Sequence, residues 1–146
     1  MSVEATAINT VDTKSSVTWR DYLALTKPRV ISLLLFTTLT AMFAAKDSTH
    51  PVTWLMFLGV AVGGYMSAGA ANTFNMIYDC DIDGRMPRTT ARPTVTHLIS
   101  PRAALIFGLT MECLSFAILA YTSNIFAAIL ALLGLLYYVF IYTMLL

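Results

Sequence analysis

The sequence predicts an all-α membrane protein, and its composition, charge-free runs and sparse charge all indicate this. Of the 146 residues, 58% are hydrophobic and 12% are charged, whereas about a quarter of an average soluble domain is charged. Charge-free runs cover 30–45 and 51–78, and a membrane-spanning helix needs about 20 apolar residues. The formal net charge is only +1, so no excess of positive charge indicates a nucleic-acid partner. The expected surroundings are the lipid bilayer.

Four transmembrane helices are expected along the chain. The two charge-free runs predict the first helix near 22–45 and the second near 51–78. After Arg102 the chain is apolar except for Glu112, and a turn-favouring Tyr-Thr-Ser-Asn sequence interrupts it. Two further helices are therefore expected, near the ranges 103–121 and 125–146.

The ends and loops of the chain predict its orientation. Residues 1–18 are polar and lack the apolar segment of a signal peptide, so we expect a disordered cytosolic tail, followed by one transmembrane domain over 19–146. Four Lys or Arg residues precede the first helix and four lie between the second and third, but none lies between the third and fourth. This bias predicts a multi-pass plasma-membrane protein with a cytoplasmic amino terminus and a cytoplasmic 79–102 loop. Because the last apolar run has no basic flank, we also expect the natural protein to continue beyond Leu146.

An acidic cluster, within NMIYDCDIDGRMPRTTARP at 75–93, follows the second predicted helix. Residues four apart share a helix face, so Asn75, Asp79 and Asp83 form one ridge, and Asp81 lies on nearly the opposite side. Carboxylates at this spacing repel each other, and no basic residue lies between them, so a bound cation would relieve the repulsion. Hard oxygen ligands favour Mg²⁺ or Ca²⁺. The ridge Asn75, Asp79 and Asp83 is therefore predicted to bind a metal, with Mg²⁺ as the cofactor.

The cluster has two other interpretations, a calcium-binding loop and a solvated acidic loop. The spacing D-x-D-x-D-G resembles the start of a calcium-binding EF-hand loop, but Thr90 stands where that loop needs a bidentate Glu. A solvated acidic loop stays open as an alternative. It is disfavoured because Asn75 lies inside the apolar run, and because Arg85, Arg88 and Arg92 follow directly.

Four basic residues are predicted to bind a diphosphate. Mg²⁺ is commonly held by one or two carboxylates together with substrate phosphates, and Arg binds the same oxygens in bidentate fashion. Arg88 and Arg92 lie within the acidic motif, and Lys27 and Arg29 lie at the cytoplasmic end of the first predicted helix. For Lys27 and Arg29, an ordinary role as charges that set the membrane topology is equally consistent.

The motif resembles that of the UbiA superfamily of intramembrane prenyltransferases, which reads N-x-x-x-D-x-x-x-D and is matched by Asn75, Asp79 and Asp83. Two segments are more narrowly similar to the haem-farnesylating members: DYLALTKPRVISLLLFTTLTAMFAA at 21–45 and YDCDIDGRMPRTTARP at 78–93. The resemblance covers 21–146. It implies a nine-helix bundle whose first four helices lie in this chain, with a second aspartate motif outside it.

The resemblance implies a prenyltransferase that moves a farnesyl group from farnesyl diphosphate to a vinyl group of haem B, giving haem O. Asp79 and Asp83 would be the catalytic residues, holding the Mg²⁺ that neutralises the leaving diphosphate. Contact with haem A synthase or a terminal oxidase assembly is an expected partnership. The fragment alone is expected to be inactive, because half of the implied metal site lies outside it.

Two other functions stay open from the sequence. A related prenyltransferase with an aromatic acceptor, such as 4-hydroxybenzoate or a chlorophyllide, would share the diphosphate chemistry. A non-enzymatic cation-binding membrane protein would use the aspartates as an ion site. Glu112 lies inside the third predicted helix, where an ionised carboxylate is costly, and both a functional role and a hydrogen-bonded structural role are consistent with it.

Overall fold

The computed structural model describes residues 17–46, 51–83, 87, 92–96 and 98–143, without the side chains of 81, 82, 142 and 143. The described residues form helices and no strands, which confirms the predicted all-helical class. The α-helices are α1 (Trp19–Thr26), α2 (Pro28–Ala44), α3 (Trp54–Tyr78), α4 (Cys80–Asp83), α5 (Pro101–Thr122) and α6 (Ile125–Tyr137), followed by a π-helical segment (Tyr138–Thr143). Most of the predicted tail, 1–16, and the last three residues lie outside the described part.

The first predicted helix is broken, so the prediction of one continuous helix near 22–45 was wrong. Lys27 separates α1 from α2 with a left-handed backbone, φ 53° and ψ 62°, and the two helix axes differ in direction by 50°. Pro28 follows directly as the first residue of α2. Proline has no N–H to donate and disfavours the right-handed helical conformation in the residue before it. The break therefore falls at the Lys-Pro step.

Side-chain caps set the starts of the three remaining long helices. The Thr53 hydroxyl accepts a hydrogen bond from the Met56 N–H at 3.2 Å, and the Ser100 hydroxyl accepts one from the Ala103 N–H at 3.2 Å. The side-chain Oδ1 of Asn124 accepts one from the Ala127 N–H at 2.7 Å. Each bond satisfies an amide that has no partner within its own helix. The predicted break between the third and fourth helices is confirmed, because α5 ends at Thr122 and α6 begins at Ile125.

The predicted number of membrane spans is confirmed only in part. Among the described residues, α3 and α5 are long and apolar enough to cross a bilayer, and the bent α1–α2 pair qualifies as a third span if counted together. The segment Ile125–Ile141 is apolar but shorter, and 13 residues of α-helix in α6 extend only about 20 Å at 1.5 Å per residue. The fourth span stays a prediction.

Helix α3 is central, since it packs against α1, α2, α5 and α6. Its closest approach is to α5, where glycine leaves no side chain between the backbones. A Cβ atom at Gly63 would lie 2.8 Å from Leu119 Cγ, and one at Gly59 would overlap the side chain of Thr122. The hydroxyl of Ser115 also donates to the Gly63 carbonyl at 2.7 Å. Small residues and interhelical hydrogen bonds are the usual means of holding helices together in a membrane.

Replacing Gly59 by alanine tests this packing. Because the added methyl would force α5 away from α3, we expect Gly59→Ala to lower the free energy of unfolding by about 1–3 kcal/mol, measured by reversible unfolding of the purified protein in detergent. The matched control is Gly134→Ala in α6, where, apart from the adjoining residues and backbone of its own helix, no described atom lies within 4 Å of the added methyl. An equal loss of stability in both variants would contradict the packing described here.

Candidate functional site

Asn75, Asp79 and Asp83 lie on successive turns at the end of α3. The Asp79 N–H donates to the Asn75 carbonyl at 2.9 Å, and the Asp83 N–H donates to the Asp79 carbonyl at 2.8 Å. These two bonds continue the helical spacing through Asp79, although α3 ends at Tyr78 and α4 begins at Cys80. Asn75 and Asp83 are buried and Asp79 is half-buried. The predicted ridge therefore exists as a continuous structural feature.

The side-chain amide of Asn75 holds Asp79. Its Nδ2 donates to Asp79 Oδ2 at 2.8 Å. This hydrogen bond fixes one oxygen of the carboxylate relative to the helix. The Asn75 amide and the Asp79 carboxylate are therefore held together by this hydrogen bond.

The second carboxylate of the ridge has a basic partner. Arg92 Nη1 donates to Asp83 Oδ2, and the two form an ion pair. Arg92 lies nine residues after Asp83 and not between the two carboxylates, so the spacing that defines the ridge does not indicate this pair. Arg92 was predicted to bind a diphosphate, and in this structure it binds the protein's own carboxylate.

The segment after Arg92 is anchored by its own hydrogen bonds. The Arg92 carbonyl accepts from the Val95 and Thr96 amides at 3.0 Å, and the Pro93 carbonyl accepts from the Ile99 amide at 3.0 Å. The Cys80 thiol donates to the carbonyl of the buried Thr94 at 3.4 Å. Buried Ile99 packs with Leu25, Met76 and Ala104. Arg92 is therefore presented to Asp83 by an ordered turn.

Two of the other three predicted diphosphate ligands lie among the described residues. Lys27 is half-buried at the α1–α2 break, and Arg29 is exposed on the first turn of α2. Arg88 lies outside the described residues. Arg92 contacts the ridge through Asp83.

Asn72 was missed by the sequence reasoning. It is buried, and its Nδ2 donates to the Thr26 carbonyl at 3.2 Å and to the Ala68 carbonyl at 3.1 Å. The Thr26 hydroxyl in turn shares a hydrogen bond of 3.0 Å with the Tyr65 hydroxyl. These contacts tie the α1–α2 break to α3 about one turn from Asn75. The available signal was a second amide three residues before Asn75 in the same apolar run.

A cavity of about 430 Å³ opens beside the ridge, between α2, α3 and α6. Val30 and Leu34 of α2 and Leu135 of α6 form apolar parts of its wall, and Ser67 and Asn72 contribute polar groups from α3. This volume falls within the range of small-molecule sites, which are mostly apolar with a few polar groups. The cavity reaches within one turn of Asn75 through Asn72.

Glu112 lies on α5 and is 8% exposed. The Oε2 atom is buried and has no hydrogen-bond partner within the described part of the chain. Both the functional and the hydrogen-bonded structural interpretation of Glu112 therefore stay predictions.

The donor atoms of the ridge fit Mg²⁺. No three His, Cys, Asp or Glu side chains of the described residues form a metal-binding group. Mg²⁺, however, is usually bound through only one or two carboxylates, with phosphate oxygens and water completing its coordination. Asp79 and Asp83 supply two carboxylates and Asn75 supplies an amide oxygen. Metal binding by this ridge stays a prediction.

The fold and this site define a helical membrane protein with an acidic ridge at the end of α3 and an apolar cavity lined in part by the same helix. The profile described as "UbiA prenyltransferase family" matches residues 34–146. Because this match covers more than half of the sequence, the chain belongs to the UbiA prenyltransferase family, as its resemblance to that family predicted.

Similar curated proteins carry one name, "Protoheme IX farnesyltransferase". The protein from Thermus thermophilus is 57% identical over 87% of this chain and 21% of its own length. That from Deinococcus radiodurans is 52% identical over 92% of this chain and 44% of its own length, and that from Chloroflexus aurantiacus is 44% identical over 94% and 24%. The chain thus spans less than half the length of these relatives. No solved structure matches the chain.

Removing the Arg92 side-chain charge tests the ion pair. We expect Arg92→Gln to leave buried Asp83 without its charged partner, which costs about 1–3 kcal/mol, and to speed amide hydrogen exchange at 94–96 and 98–99. Mass spectrometry of the exchanged peptides measures this. Arg102→Gln, which alters an exposed arginine at the start of α5, is the control. Unchanged exchange in Arg92→Gln would show that the pair does not hold the segment.

Proposed function

We propose that this chain is the amino-terminal part of an enzyme that transfers a farnesyl group from farnesyl diphosphate to a vinyl group of haem B, giving haem O. The observation that carries the proposal is the ridge of Asn75, Asp79 and Asp83 on successive turns, about one turn along the chain from Asn72, which lines an apolar cavity. Identities of 44–57% to proteins named protoheme IX farnesyltransferase support the choice of substrates.

The ridge is assigned to the diphosphate end of the donor. Asp79 and Asp83 would hold Mg²⁺ with the Asn75 amide beside them. The metal, when bound, would supply positive charge to the leaving diphosphate oxygens. Asn75 keeps the Asp79 carboxylate oriented through its 2.8 Å hydrogen bond. In this proposal the stabilising charge would lie at the leaving group, where the allylic C–O bond breaks.

Arg92 has a second task in this proposal. Its guanidinium neutralises Asp83 in the structure described here. When Asp83 takes a cation, the guanidinium is released toward the diphosphate oxygens, to which it can donate two hydrogen bonds. Lys27, Arg29 and Arg88 are proposed as further diphosphate ligands. The ion pair thus keeps a buried carboxylate neutralised until substrate arrives.

The apolar cavity is assigned to the reacting carbon atoms. Val30, Leu34 and Leu135 contribute hydrocarbon to its wall. An allylic carbocation in such surroundings is protected from premature capture by bulk water. A dry chamber next to a charged mouth is what a diphosphate-leaving reaction requires.

The family is a membrane family, and the apolar helices agree with a multi-pass membrane protein. We propose further that four helices of this chain belong to a nine-helix bundle in the plasma membrane, with the amino terminus and the 79–102 loop cytoplasmic. Farnesyl diphosphate would then reach the ridge from the cytoplasm. Haem A synthase or a terminal oxidase assembly is the proposed recipient of the product.

The competing functions are disfavoured by the same comparisons. A prenyltransferase with an aromatic acceptor would share the ridge, but the relatives described above are named for protohaem. A non-enzymatic cation-binding protein would also use the aspartates, but the chain belongs to a prenyltransferase family.

Substituting the carboxylates tests the proposed function. In full-length protein in membranes supplied with farnesyl diphosphate and haem B, we expect Asp79→Asn and Asp83→Asn each to lower haem O formation by at least about 100-fold, since each removes charge needed at the leaving group. Chromatography with mass detection measures haem O. Asp21→Asn, which alters a capping carboxylate in α1, is the matched control. Wild-type rates in both ridge variants would overturn the assignment.

Removing divalent cations gives an independent test. Chelation is expected to stop farnesyl transfer in the wild-type membranes, and added Mg²⁺ is expected to restore it. Asn75→Ala should raise the Mg²⁺ concentration needed for half-maximal activity, because Asp79 loses the amide that orients it. Full activity in the presence of chelator would contradict the metal-dependent step.

A further inference from the structure

The α1–α2 break is joined to α3 by a buried set of hydrogen bonds around Thr26. Thr26 is 1% exposed, and its hydroxyl donates to the Leu23 carbonyl at 2.8 Å and lies 3.0 Å from the Tyr65 hydroxyl. A hydroxyl has one proton to donate, so Tyr65 is the donor in the second bond. The Thr26 carbonyl accepts from the Asn72 side chain at 3.2 Å. Tyr65, Thr26 and Asn72 therefore form one network, the Thr26 network.

Close packing restricts the movement of this network. A Cβ atom at Gly69 of α3 would lie 3.1 Å from Thr26 Cγ2, so the Thr26 methyl group lies directly against the α3 backbone. Asn72 is 8% exposed, and its second hydrogen bond, to the Ala68 carbonyl at 3.1 Å, fixes the plane of its amide group. The peptide unit that carries the Thr26 carbonyl is therefore held in place relative to α3.

Lys27 follows this fixed peptide unit. It has a left-handed backbone, φ 53°, and such conformations persist where the surroundings determine them, often at ligand-binding sites. Because the Thr26 carbonyl and the Lys27 nitrogen belong to one planar unit, the 3.2 Å hydrogen bond places the Lys27 Cα atom within about 6 Å of the Asn72 amide nitrogen. The Thr26 network therefore fixes the point at which the Lys27 side chain starts.

Helix α2 runs antiparallel to α3. Thr26, the last residue of α1, bonds to Asn72, whereas a Cβ atom at Gly64 would lie 3.2 Å from Leu35 Cδ2, further along α2. The start of α2 is therefore at the end of α3 that carries the ridge. Asn72 precedes Asn75, the first ridge residue, by about 4.5 Å at 1.5 Å per residue.

Lys27 lies at the ridge end of the cavity wall. The cavity-lining residues Val30, Leu34 and Thr38 of α2 are four apart and share one helix face. Lys27 precedes Val30 by three residues and is half-buried. Its four-carbon side chain reaches about 6 Å, which is comparable with the separation of Asn72 and Asn75 along α3. A cation at this position suits the diphosphate end of a donor whose hydrocarbon chain occupies the cavity.

We propose that the Thr26 network positions Lys27 against the diphosphate of the prenyl donor, with Tyr65, Thr26 and Asn72 as positioning residues. This inference rests on the proposed function, in which Lys27 is one of four basic diphosphate ligands. The ammonium group binds diphosphate oxygens through charge-assisted hydrogen bonds. Ordering a flexible side chain lowers the affinity of a site, so a backbone that is already fixed raises it. The network acts on the diphosphate through Lys27.

A purely structural role of the network has a different consequence. If the network only joins α1 to α3, the loss of one of its hydrogen bonds weakens diphosphate binding whether or not residue 27 carries a charge. If the network positions Lys27, the same loss has no effect once the ammonium group has been removed. The combination of Tyr65→Phe with Lys27→Gln therefore separates the two roles.

The experiment measures the dissociation constant of inorganic diphosphate, with Mg²⁺ present, for the full-length protein in detergent by isothermal titration calorimetry. Lys27→Gln is expected to raise it by at least about tenfold, because a hydrogen bond to a charged group is lost. Tyr65→Phe and Thr26→Val are each expected to raise it by about threefold to tenfold, whereas Thr26→Ser keeps the hydroxyl and the wild-type affinity. In the Lys27→Gln background, Tyr65→Phe is expected to change it by less than about twofold.

Tyr22→Phe is the matched control, because it removes a tyrosine hydroxyl from α1 and keeps the ring 5.1 Å from that of Phe107. An equal effect of Tyr65→Phe with and without Lys27 would overturn the inference. Wild-type affinity in Tyr65→Phe, an equal shift in Tyr22→Phe, or no diphosphate binding by the wild type would also overturn it.

Farnesyl transfer to haem B, measured with the same full-length proteins in membranes, distinguishes this inference from the proposed function. If the wild type binds diphosphate with the expected dependence on Tyr65 and Lys27 but forms no farnesylated haem, the proposed function is contradicted and the positioning of Lys27 is supported. If farnesylated haem forms and the two substitutions act independently on diphosphate binding, the proposed function stands and the positioning role is wrong.

Discussion

The close approach of α3 and α5 is the contact on which the rest of the structure depends. In a membrane, apolar side chains gain little by leaving lipid for protein, so tight packing and hydrogen bonds between helices carry the association. Gly59 and Gly63 let the backbones approach until Leu119 and Thr122 fill the space that side chains on α3 would occupy. The same approach brings the Ser115 hydroxyl to the Gly63 carbonyl. Other helices then pack on α3.

The candidate site is assembled from three parts of the chain that meet at the end of α3. The helix itself supplies the ridge. The α1–α2 break is attached through the Asn72 to Thr26 hydrogen bond, and the turn beginning at Arg92 is attached through its ion pair to Asp83. Each attachment satisfies a polar group in largely apolar surroundings, where an unmade hydrogen bond is costly. The polar groups that build the site therefore also hold its parts in register.

What the sequence predicts well is local. The ridge follows from the four-residue spacing of Asn75, Asp79 and Asp83, and the interhelical turn before Ile125 follows from its residue types. Pro28 marks a place where a helix could break, but proline also begins helices, so the bend at Lys27 was not predicted. The Arg92 partner of Asp83 and the burial of Glu112 cannot be predicted in this way. Neither is visible in residue spacing, because each is set by packing between distant segments.

Lys27 combines two properties: a left-handed backbone at the bend between α1 and α2, and a positive charge. A side chain in this conformation costs about 1–2 kcal/mol that glycine would not incur, and the bend itself needs only a permissive backbone before proline. The chain nevertheless carries a cation at this point. The direction of α2 relative to α1 and the positive charge before the start of α2 are therefore independent of each other. Glycine at position 27 would keep the bend and remove the charge.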